Sequence, residues 1–395
     1  MLLEHMGFGT FIGLLPYGPK WRRQRRAFHQ HFDSKVISRY HPAMSHASVE
    51  FAKDMLSSPE RFAYHTRNFF TRIIIKAAYG LDISADSDDA YMVGMQDVAE
   101  GFLEATVPGR FLVDMIPALK YVPRKKIYEV KMEPFERVLK ATREGCGEPC
   151  ALSRIIDTLP PPEDPGRKEE EELACDLGVS AYLGGSDTSV GTMLTFILLM
   201  AMYPEVQRRA QAELDNFVSA GRLPTFEDRP NLLYVSAVLR ELFRWHQLAP
   251  LGLPHATTED DIYDGYFIPK GTIVVGNIWD IMQNGELFPN PHVFDPDRHI
   301  KNGRINQDII DPIPPSFGYG RRICPGRHLA LDSIYLVATT ILAVFDIAPA
   351  RDEAGNSTLE PSFGGKILMV PEPFECIITP RSGRHAELIR NLEIQ

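Results

Sequence analysis

Apolar residues recur at helical spacing along most of the chain up to about residue 250. Apolar side chains at every third or fourth position mark one face of an amphipathic helix. The pattern predicts helices over residues 20–32, 42–56, 62–79, 88–105, 133–143, 171–203, 205–220 and 231–245. Most of the fold is therefore expected to be helical.

Two stretches, 190–203 and 334–348, are apolar almost throughout. Both are shorter than the ~20 apolar residues that a membrane-spanning helix needs. A helix that is apolar on every face belongs in a protein core, so both stretches fit buried core helices. The overlapping apolar residues 329–344 are predicted to form one helix. The first residues lack the basic flank and small-residue cleavage site of a secretory signal, and we predict no membrane anchor.

Short strands replace the helical pattern beyond about residue 251. Residues 261–263, 266–268 and 272–275 alternate in polarity or are β-branched, and Asp264-Gly265 is a turn signal between the first two. A last strand is predicted over 374–379. The fold class expected is mainly α with a small β-sheet part, in one domain over residues 1–395. The proline-rich and acidic segment 160–172 is interpreted as a surface linker inside that domain.

Composition narrows the class of protein. The chain has 395 residues, 44% of them hydrophobic and 24% charged, as in ordinary soluble globular proteins. A net charge of -10 argues against general nucleic-acid binding. The five cysteines are an odd number without a regular framework, which favours reduced thiols in a protein that faces the cytosol.

The run FGYGRRICPG at 317–326 is the strongest candidate for chemistry. Gly320 and Gly326 allow a loop to wrap closely around a ligand, and Pro325 suits the first turn of the helix that follows. Cys324 would lie at the N-terminus of that helix, where the dipole favours an anionic sulfur, a soft ligand for iron. Arg322 can meet an acidic group of a ligand. The alternative is a buried cysteine in a glycine-rich turn.

Residues 184–189, with the sequence GGSDTS, interrupt the predicted long helix with two glycines. Each glycine in a helix interior costs about 1 kcal/mol relative to alanine, so we expect a close backbone approach or a local opening there. Asp187 and Thr188 can bond to nearby backbone carbonyls or to water. The alternative is a helix-packing contact with a capping aspartate.

Two charged clusters complete the candidates. Glu241 and Arg244, three residues apart, share a helix face among apolar neighbours, so a buried ion pair is expected, and it would need a further partner. The basic stretch KWRRQRR at 20–26 places Trp21 and Arg25 on one helical face. As a charge run alone, this stretch is also typical of a nuclear-import or nucleic-acid-binding patch.

These motifs resemble those of the cytochromes P450, in this order and over nearly the whole chain. The cysteine run fills every fixed position of the family's haem-binding loop, F-x-x-G-x-R-x-C-x-G, including Phe317, Arg322, Cys324 and Gly326. By that resemblance Cys324 is the axial ligand of a haem b iron. The segment around Asp187 is similar to the family's oxygen-binding groove.

The resemblance also implies roles for single residues. Thr188 would stabilise bound dioxygen, and Asp187 would relay protons to it. Trp21, Arg25, His255 and Arg322 would hold the haem propionates. Arg298, in the sequence Pro296-Asp297-Arg298-His299, would complete a structural triad with Glu241 and Arg244, although Asp297 and His299 depart from the commonest form. The apolar pocket for substrate would be lined by Leu183, Gly184, Leu251, Leu253 and Ile367.

The activity implied is that of a haem-thiolate monooxygenase of fungal type, which inserts one oxygen atom from O2 into an apolar organic substrate. Electrons would come from NADPH-cytochrome P450 reductase, an acidic donor docked on a basic proximal face. That face would comprise the cations left free by the haem: Lys20, Arg22, Arg23, Arg26, Arg321 and Arg327. The family suggests the cytosolic face of the endoplasmic reticulum membrane, whereas a chain without an anchor would be cytosolic.

Only 20 residues precede Trp21, so the resemblance implies a cytochrome P450 fold that lacks its N-terminal helices and first sheet strands. The strand at 272–275 would then leave an open sheet edge. Two other functions remain open. One is a catalytically inactive remnant that binds haem poorly or not at all. The other is a peroxide-driven or isomerising haem enzyme, against which the Asp187-Thr188 pair argues.

Overall fold

Helices account for most of the molecule. The computed structural model describes residues 8–82, 90–105, 126–219, 221–352, 354–357, 359–365 and 367–393. Its α-helices, in chain order, are α1 (Pro19–Phe32), α2 (His41–Ser57), α3 (Phe62–Tyr79), α4 (Ala90–Ala105), α5 (Lys126–Arg143), α6 (Ala151–Ile156), α7 (Arg167–Met202), α8 (Pro204–Phe217), α9 (Leu233–Trp245), α10 (Ile278–Gln283), α11 (Ile313–Ser316), α12 (Arg327–Val344) and α13 (Gly383–Asn391).

The strands are short and pair two by two within the described residues, always antiparallel. They are β1 (His255–Ala256) with β4 (Ile273–Val274), β2 (Asp261–Tyr263) with β3 (Tyr266–Ile268), β5 (Ile300–Lys301) with β6 (Arg304–Ile305), β7 (Phe345–Pro349) with β10 (Cys376–Pro380), and β8 (Phe363–Gly365) with β9 (Met369–Pro371). The predicted fold class, mainly α with a small β-sheet part, is confirmed.

The long helix α7 is the axis of the core, and α3 packs along it. Its C-terminal half, from Val190 to Ala201, is buried on nearly every face, as the unbroken apolar run predicts. The helix begins at Arg167, so the prediction of a linker up to residue 172 was wrong at its end. Arg167 Nε donates to Glu171 Oε1 at 2.8 Å, and its Nη1 donates to the Pro160 carbonyl at 2.5 Å. These two hydrogen bonds hold the first turn of α7 in place, so the helix begins nearer the N-terminus than predicted.

The helix predicted over 329–344 ends where expected, but the apolar stretch 334–348 is not helical to its end. Helix α12 is buried but stops at Val344, and the last residues of the apolar run form β7. Phe345 and Ile347 are buried while Asp346 is exposed, and this period of two suits a strand with one buried face. An apolar run by itself does not distinguish a buried strand from a buried helix.

Helices α7 and α12 are long and apolar enough to cross a bilayer, if only length and composition are considered. In each, 72% of the apolar window is buried inside the protein. Core helices of soluble proteins pass the same test, so this finding is weak evidence for a membrane span.

The β1–β4 region presents apolar side chains to solvent. Ile262, Tyr263, Tyr266, Phe267 and Ile273 are each between 64% and 74% exposed. Strand β4 pairs with β1, and within the described part of the chain its other edge has no strand partner, as the sequence predicts. Exposed apolar side chains close together in sequence favour association with another apolar surface.

Close packing between α3 and α7 gives a first testable prediction. A Cβ added at Gly178 would lie 2.6 Å from the ring and hydroxyl of buried Tyr79. We expect Gly178→Ala to lower the free energy of unfolding by about 1–2 kcal/mol, because overpacking outweighs the helix propensity that alanine gains. Thermal unfolding measures this as a fall in Tm. Gly276→Ala, where no atom lies within 4 Å of the added Cβ, is the control; equal Tm values for the two variants would contradict the prediction.

Candidate active site

The loop that carries Cys324 folds back on itself between α11 and α12. The Cys324 N–H donates to the Phe317 carbonyl at 2.8 Å and closes the loop. Gly318 and Gly320 have φ values of 83° and 58°, a left-handed conformation that side chains with a Cβ rarely adopt. The Phe317 ring packs against Phe243 of α9, with centroids 5.7 Å apart. The loop is therefore fixed at both ends before any ligand binds.

The Cys324 thiol lies just before the N-terminus of α12. Desolvation raises its pKa, and this effect is opposed by the Gly326 N–H and by the guanidinium groups of Arg25 and Arg327. Positive charge thus lies near a sulfur whose pKa is raised by desolvation. A coordinated metal ion deprotonates such a thiol outright.

Helix α1 and the cysteine loop bring four of the sequence-predicted residues together. Arg25 Nη1 donates to the Ile323 carbonyl at 2.5 Å. The Arg322 guanidinium lies 4.7 Å from the centre of the Trp21 ring, which is buried, and its Nη1 donates to the Leu15 carbonyl at 2.8 Å. Trp21, Arg25 and Arg322 therefore cluster around the loop of Cys324. Partial burial lowers the pKa of both arginines, which remain charged at neutral pH.

One residue that anchors this cluster was missed by the sequence analysis. Gln24 of α1 is fully buried, and its Nε2 donates to Asp176 Oδ2 of α7 at 3.1 Å and to the Thr10 carbonyl at 2.9 Å. It lies one helical turn after Trp21, so it fixes the face that carries Trp21 and Arg25. A polar residue inside a basic run gives no sequence signal for this contact, because its partner is 152 residues away.

Helix α7 passes through the Gly184-Gly185 pair without interruption. A Cβ at Gly185 would lie 2.9 Å from Ile74 Cδ1, whereas nothing lies within 4 Å of the Cβ position of Gly184. The close approach expected of the glycines is therefore present at Gly185, whereas the expected local opening of the helix is not observed. Thr188 Oγ1 donates to the Gly184 carbonyl at 2.8 Å, and the residue is partly exposed.

Asp187 is the other half of the predicted oxygen-binding pair. Its Oδ1 accepts a hydrogen bond from Arg67 Nη1 of α3 at 2.7 Å. The sequence analysis did not identify Arg67, which is 120 residues away.

The space beside four glycines bears on whether α7 and the cysteine loop leave room for a haem. The Cβ positions of Gly184, Gly318, Gly320 and Gly326 all have no atom within 4 Å. On the cysteine loop this open space lets a ligand approach the backbone closely. Among the described residues no group of three His, Cys, Asp or Glu could hold a metal ion. Cys324 with the open backbone around it is compatible with a prosthetic group such as haem.

The remaining predicted site residues are more dispersed. Leu183 is buried, whereas Leu251 and Leu253 are 53% and 52% exposed, and Ile367 is intermediate. His255 is in β1, opposite Val274, and exposed. The structure itself therefore does not assemble a closed apolar pocket from these residues, and their roles stay predictions.

The acid–arginine cluster is buried beneath the site. Arg244 Nε and Nη2 donate to Glu241 at 2.9 and 2.8 Å, and both side chains are fully buried. Arg298 Nε donates to Glu241 Oε1 at 3.1 Å, as the triad predicts. His299, which the sequence marks as a departure, contributes a fourth group because its Nε2 lies 2.8 Å from Glu241 Oε2. The cluster is therefore a tetrad.

The predicted basic face is weaker than expected, because some of its cations are paired within the protein. Arg23 contacts Glu169 and Glu170 at the start of α7, so the prediction that it is free is wrong. Lys20 Nζ lies 3.9 Å from Asp176. Arg321 donates to the Tyr17 hydroxyl at 3.1 Å and stacks on its ring. The acidic first turn of α7 is close in space to α1, which the sequence alone does not reveal.

Comparison with known proteins agrees with this geometry. The family model described as "Cytochrome P450" matches residues 3–378. The cytochrome P450 monooxygenase COX2 of Coprinopsis cinerea is 42% identical over 97% of this chain and 76% of its own length. Tryptamine 4-monooxygenase of Psilocybe cyanescens is 35% identical over 97% of this chain and 78% of its own length.

A solved structure shows the same fold. A zebra fish cytochrome P450 structure with abiraterone superimposes with a TM-score of 0.73 at 23% identity. The match covers 97% of this chain and 87% of that one.

Proposed function

We propose a function for this chain from one premise: it belongs to the cytochrome P450 family. It is an oxidoreductase of the monooxygenase class, of the kind found in fungi, and uses O2, a redox partner and a small-molecule substrate. The finer proposal is a haem-thiolate enzyme that inserts one oxygen atom into a C–H bond of an apolar substrate, with electrons from an NADPH-dependent reductase. The carrying observation is the convergence of Trp21, Arg25 and Arg322 on the loop of Cys324.

Haem, when bound, supplies an iron whose axial thiolate favours O–O cleavage. Cys324 would be that ligand, held by the closed loop and surrounded by the cations that oppose its protonation. Arg25, Arg322 and the Trp21 indole N–H would hold the two carboxylates of the prosthetic group, since charge-assisted bonds to carboxylates are the strong ones. His255 would join them from β1.

Asp187 and Thr188 would supply and hold protons for the reaction on the bound group. The Thr188 hydroxyl borders the open space beside Gly184, where it can position water or dioxygen. The Asp187 carboxylate accepts a hydrogen bond from Arg67 of α3, whereas the Thr188 hydroxyl bonds back to its own helix. General acid catalysis needs a proton source of this kind in a site that is otherwise apolar.

The electron donor would dock near the cysteine loop. Arg22, Arg26 and Arg327 remain as cations for an acidic partner, supplemented by Arg321. Local positive charge steers association even in a chain of net charge -10. By family we place the enzyme at the cytosolic face of the endoplasmic reticulum membrane. The relatives are named monooxygenases, so they give no support to an inactive remnant.

Haem content and turnover test the proposal. The reduced protein under carbon monoxide should show the long-wavelength band of thiolate-ligated haem. With NADPH, reductase and apolar test substrates under 18O2, product should carry one labelled oxygen. A protein that takes up no haem, or a band of neutral axial ligation, contradicts the proposal; product driven by peroxide but not by NADPH would favour the peroxide-driven alternative.

Loss of the Thr188 hydroxyl should uncouple electron use from product formation. We expect Thr188→Ala to keep its haem and the carbon monoxide band. Most of the NADPH-derived electrons that yield product in the wild type should instead reduce O2 to peroxide in this variant. Loss of one group in proton transfer typically costs about 10²–10⁴-fold, so product per NADPH should fall at least 10-fold. The measurement is peroxide and product per NADPH oxidised.

Thr195→Ala is the matched control. Thr195 makes the same kind of bond on α7, from its Oγ1 to the Gly191 carbonyl at 2.9 Å, but it is fully buried. Unchanged coupling in Thr188→Ala, or equal uncoupling in both variants, would remove the role assigned to Thr188.

A further inference from the structure

A cavity of about 470 Å³ lies between α9, α11, α12 and the β5–β6 hairpin. Small-molecule sites in proteins typically have volumes of about 300–1,000 Å³ and mostly apolar walls. Most of the residues that line this cavity are apolar, among them Leu239, Phe243, Ile305, Ile313 and Ile334. None of the residues assigned to the proposed reaction is among the described residues that line it. The cavity is therefore separate from the site around Cys324.

Three arginines add positive charge to this apolar wall. Arg229 comes from the 3₁₀-helix Phe226–Asn231, Arg240 from α9 and Arg304 from β6. Arg304 is exposed, and no ion pair to it is found within the described part of the chain. The cavity thus combines an apolar bed with guanidinium groups from three separate segments.

Two carboxylates offset part of this charge. Asp332 Oδ1 accepts a hydrogen bond from Arg229 Nη1 at 2.7 Å, so that guanidinium is already engaged. Asp311 Oδ2 lies 3.7 Å from Arg240 Nε, which is too long for a hydrogen bond. Three guanidinium groups and these two carboxylates leave an excess of one positive charge, which suits a ligand with a single negative charge.

Arg240 also has an unused hydrogen-bond donor. Its Nη1 donates to the Ser236 carbonyl at 3.3 Å, but its Nε is buried and has no hydrogen-bond acceptor among the described residues. A buried donor without an acceptor costs free energy. An added carboxylate oxygen would satisfy this donor, because guanidinium and carboxylate groups form strong and often bidentate bonds.

We propose that this cavity binds a small amphipathic carboxylate. The acid group binds Arg240 and Arg304, and the apolar part of the ligand lies against the aliphatic and aromatic residues of α9 and α12. A small molecule fits better than an acidic side chain of the electron donor, because an aspartate or glutamate carries too little apolar surface for walls of this composition. The inference does not depend on the proposed reaction.

Calorimetric titration of the full chain with phenylbutyrate tests the proposal. Phenylbutanol, which has the same apolar part without the carboxylate, is the comparison ligand. We expect phenylbutyrate to bind about 10-fold more tightly, since a hydrogen bond to a charged group contributes about that factor. Arg240→Gln should remove this advantage while leaving phenylbutanol unchanged. Arg304→Gln should weaken phenylbutyrate only about 3-fold, because solvent screens an exposed cation.

Two further variants locate the probe. Lys301→Gln is the matched control, because Lys301 is a cation of the same hairpin that pairs with Asp308 and does not line the cavity. It should leave the affinity for both ligands unchanged. Ser236 lines the cavity from α9, so Ser236→Trp should fill part of the space and abolish the binding of both ligands.

The outcomes are decisive in both directions. Absence of saturable phenylbutyrate binding, or equal affinities for the acid and the alcohol in the wild type, overturns the proposal. Unchanged phenylbutyrate binding in Arg240→Gln places the probe elsewhere and also overturns it; if this variant instead binds the electron donor more weakly, the cavity serves that partner. If Ser236→Trp does not fold by circular dichroism, Arg240→Gln and Arg304→Gln decide by the same criteria.

Discussion

Replacing Cys324 with alanine is expected to abolish the long-wavelength carbon monoxide band and reduce product to background. The sulfur is the protein ligand that the loop presents, and loss of a ligand costs more than the 10–100-fold typical of an outer-shell partner. The fold should survive, because the bond that closes the loop is made by the Cys324 backbone N–H and not by its side chain. Absorbance spectra, haem content and circular dichroism measure the three effects.

Cys146→Ala is the control for this variant. Cys146 is exposed, and its sulfur contacts the Ala141 carbonyl at 3.6 Å, far from the cysteine loop in sequence. It should keep the wild-type spectrum. A Cys324→Ala protein that retains the thiolate band would show that another group holds the iron and would contradict the assignment.

Replacing Glu241 with alanine should be the most destabilising substitution considered. Glu241 accepts bonds from Arg244, Arg298, His299 and the Asp295 N–H while fully buried. Its loss leaves the Arg244 cation buried without a counter-charge, and breaking a buried pair in this way costs about 3–5 kcal/mol. Whole domains are stable by only about 5–15 kcal/mol. We expect a steep fall in Tm and poor recovery of haem-loaded protein.

The pH dependence gives this prediction a second measurement. Burial alone would raise the pKa of Glu241, but the donors on its oxygens, His299 and Arg244 first, outweigh it and lower the pKa. A carboxyl whose pKa is lower in the folded than in the unfolded state stabilises the fold fully at pH values above its unfolded-state pKa. That stabilisation is lost as the pH falls through its folded-state pKa. The stability gap between the wild type and Glu241→Gln should therefore be full at neutral pH and narrow in strong acid.

Asp297→Asn is the control for the charge cluster. Asp297 pairs with Arg209 at 2.5 and 2.8 Å, but both side chains are more than half exposed. Exposed pairs contribute about 0–1 kcal/mol, so its Tm should fall by no more than a few degrees. A Glu241 variant as stable as Asp297→Asn would refute the account of the tetrad.

Local signals were sufficient where one segment determines its own shape. Helix α3 has the predicted bounds because Gly80, at φ 69°, ends it in a left-handed cap. Strands β2 and β3 also match, since Asp264-Gly265 forms their turn with positive φ at both residues. The cysteine loop was identified for the same reason, because ten consecutive residues make up the whole motif.

Contacts between distant segments could not be predicted from the sequence alone. Arg67 and His299 each contact a predicted site residue, 120 and 58 positions away, and Gln24 contacts Asp176 of α7, 152 positions away. No local pattern distinguishes these three from other polar residues. His299 even ranked as a departure from the expected motif. Arg23 illustrates the opposite error, because a cation counted as free in the sequence is neutralised by the acidic first turn of α7.

The tetrad also has a consequence for synthesis of the protein on the ribosome. Glu241 and Arg244 are made first, and His299 follows 58 residues after Glu241. At typical rates of 5–20 residues per second, the nascent chain waits roughly 3–12 s for this last partner. During that interval α9 carries charges that cannot yet be buried in full. The cysteine loop begins at residue 317, so all four members of the tetrad are made before Cys324.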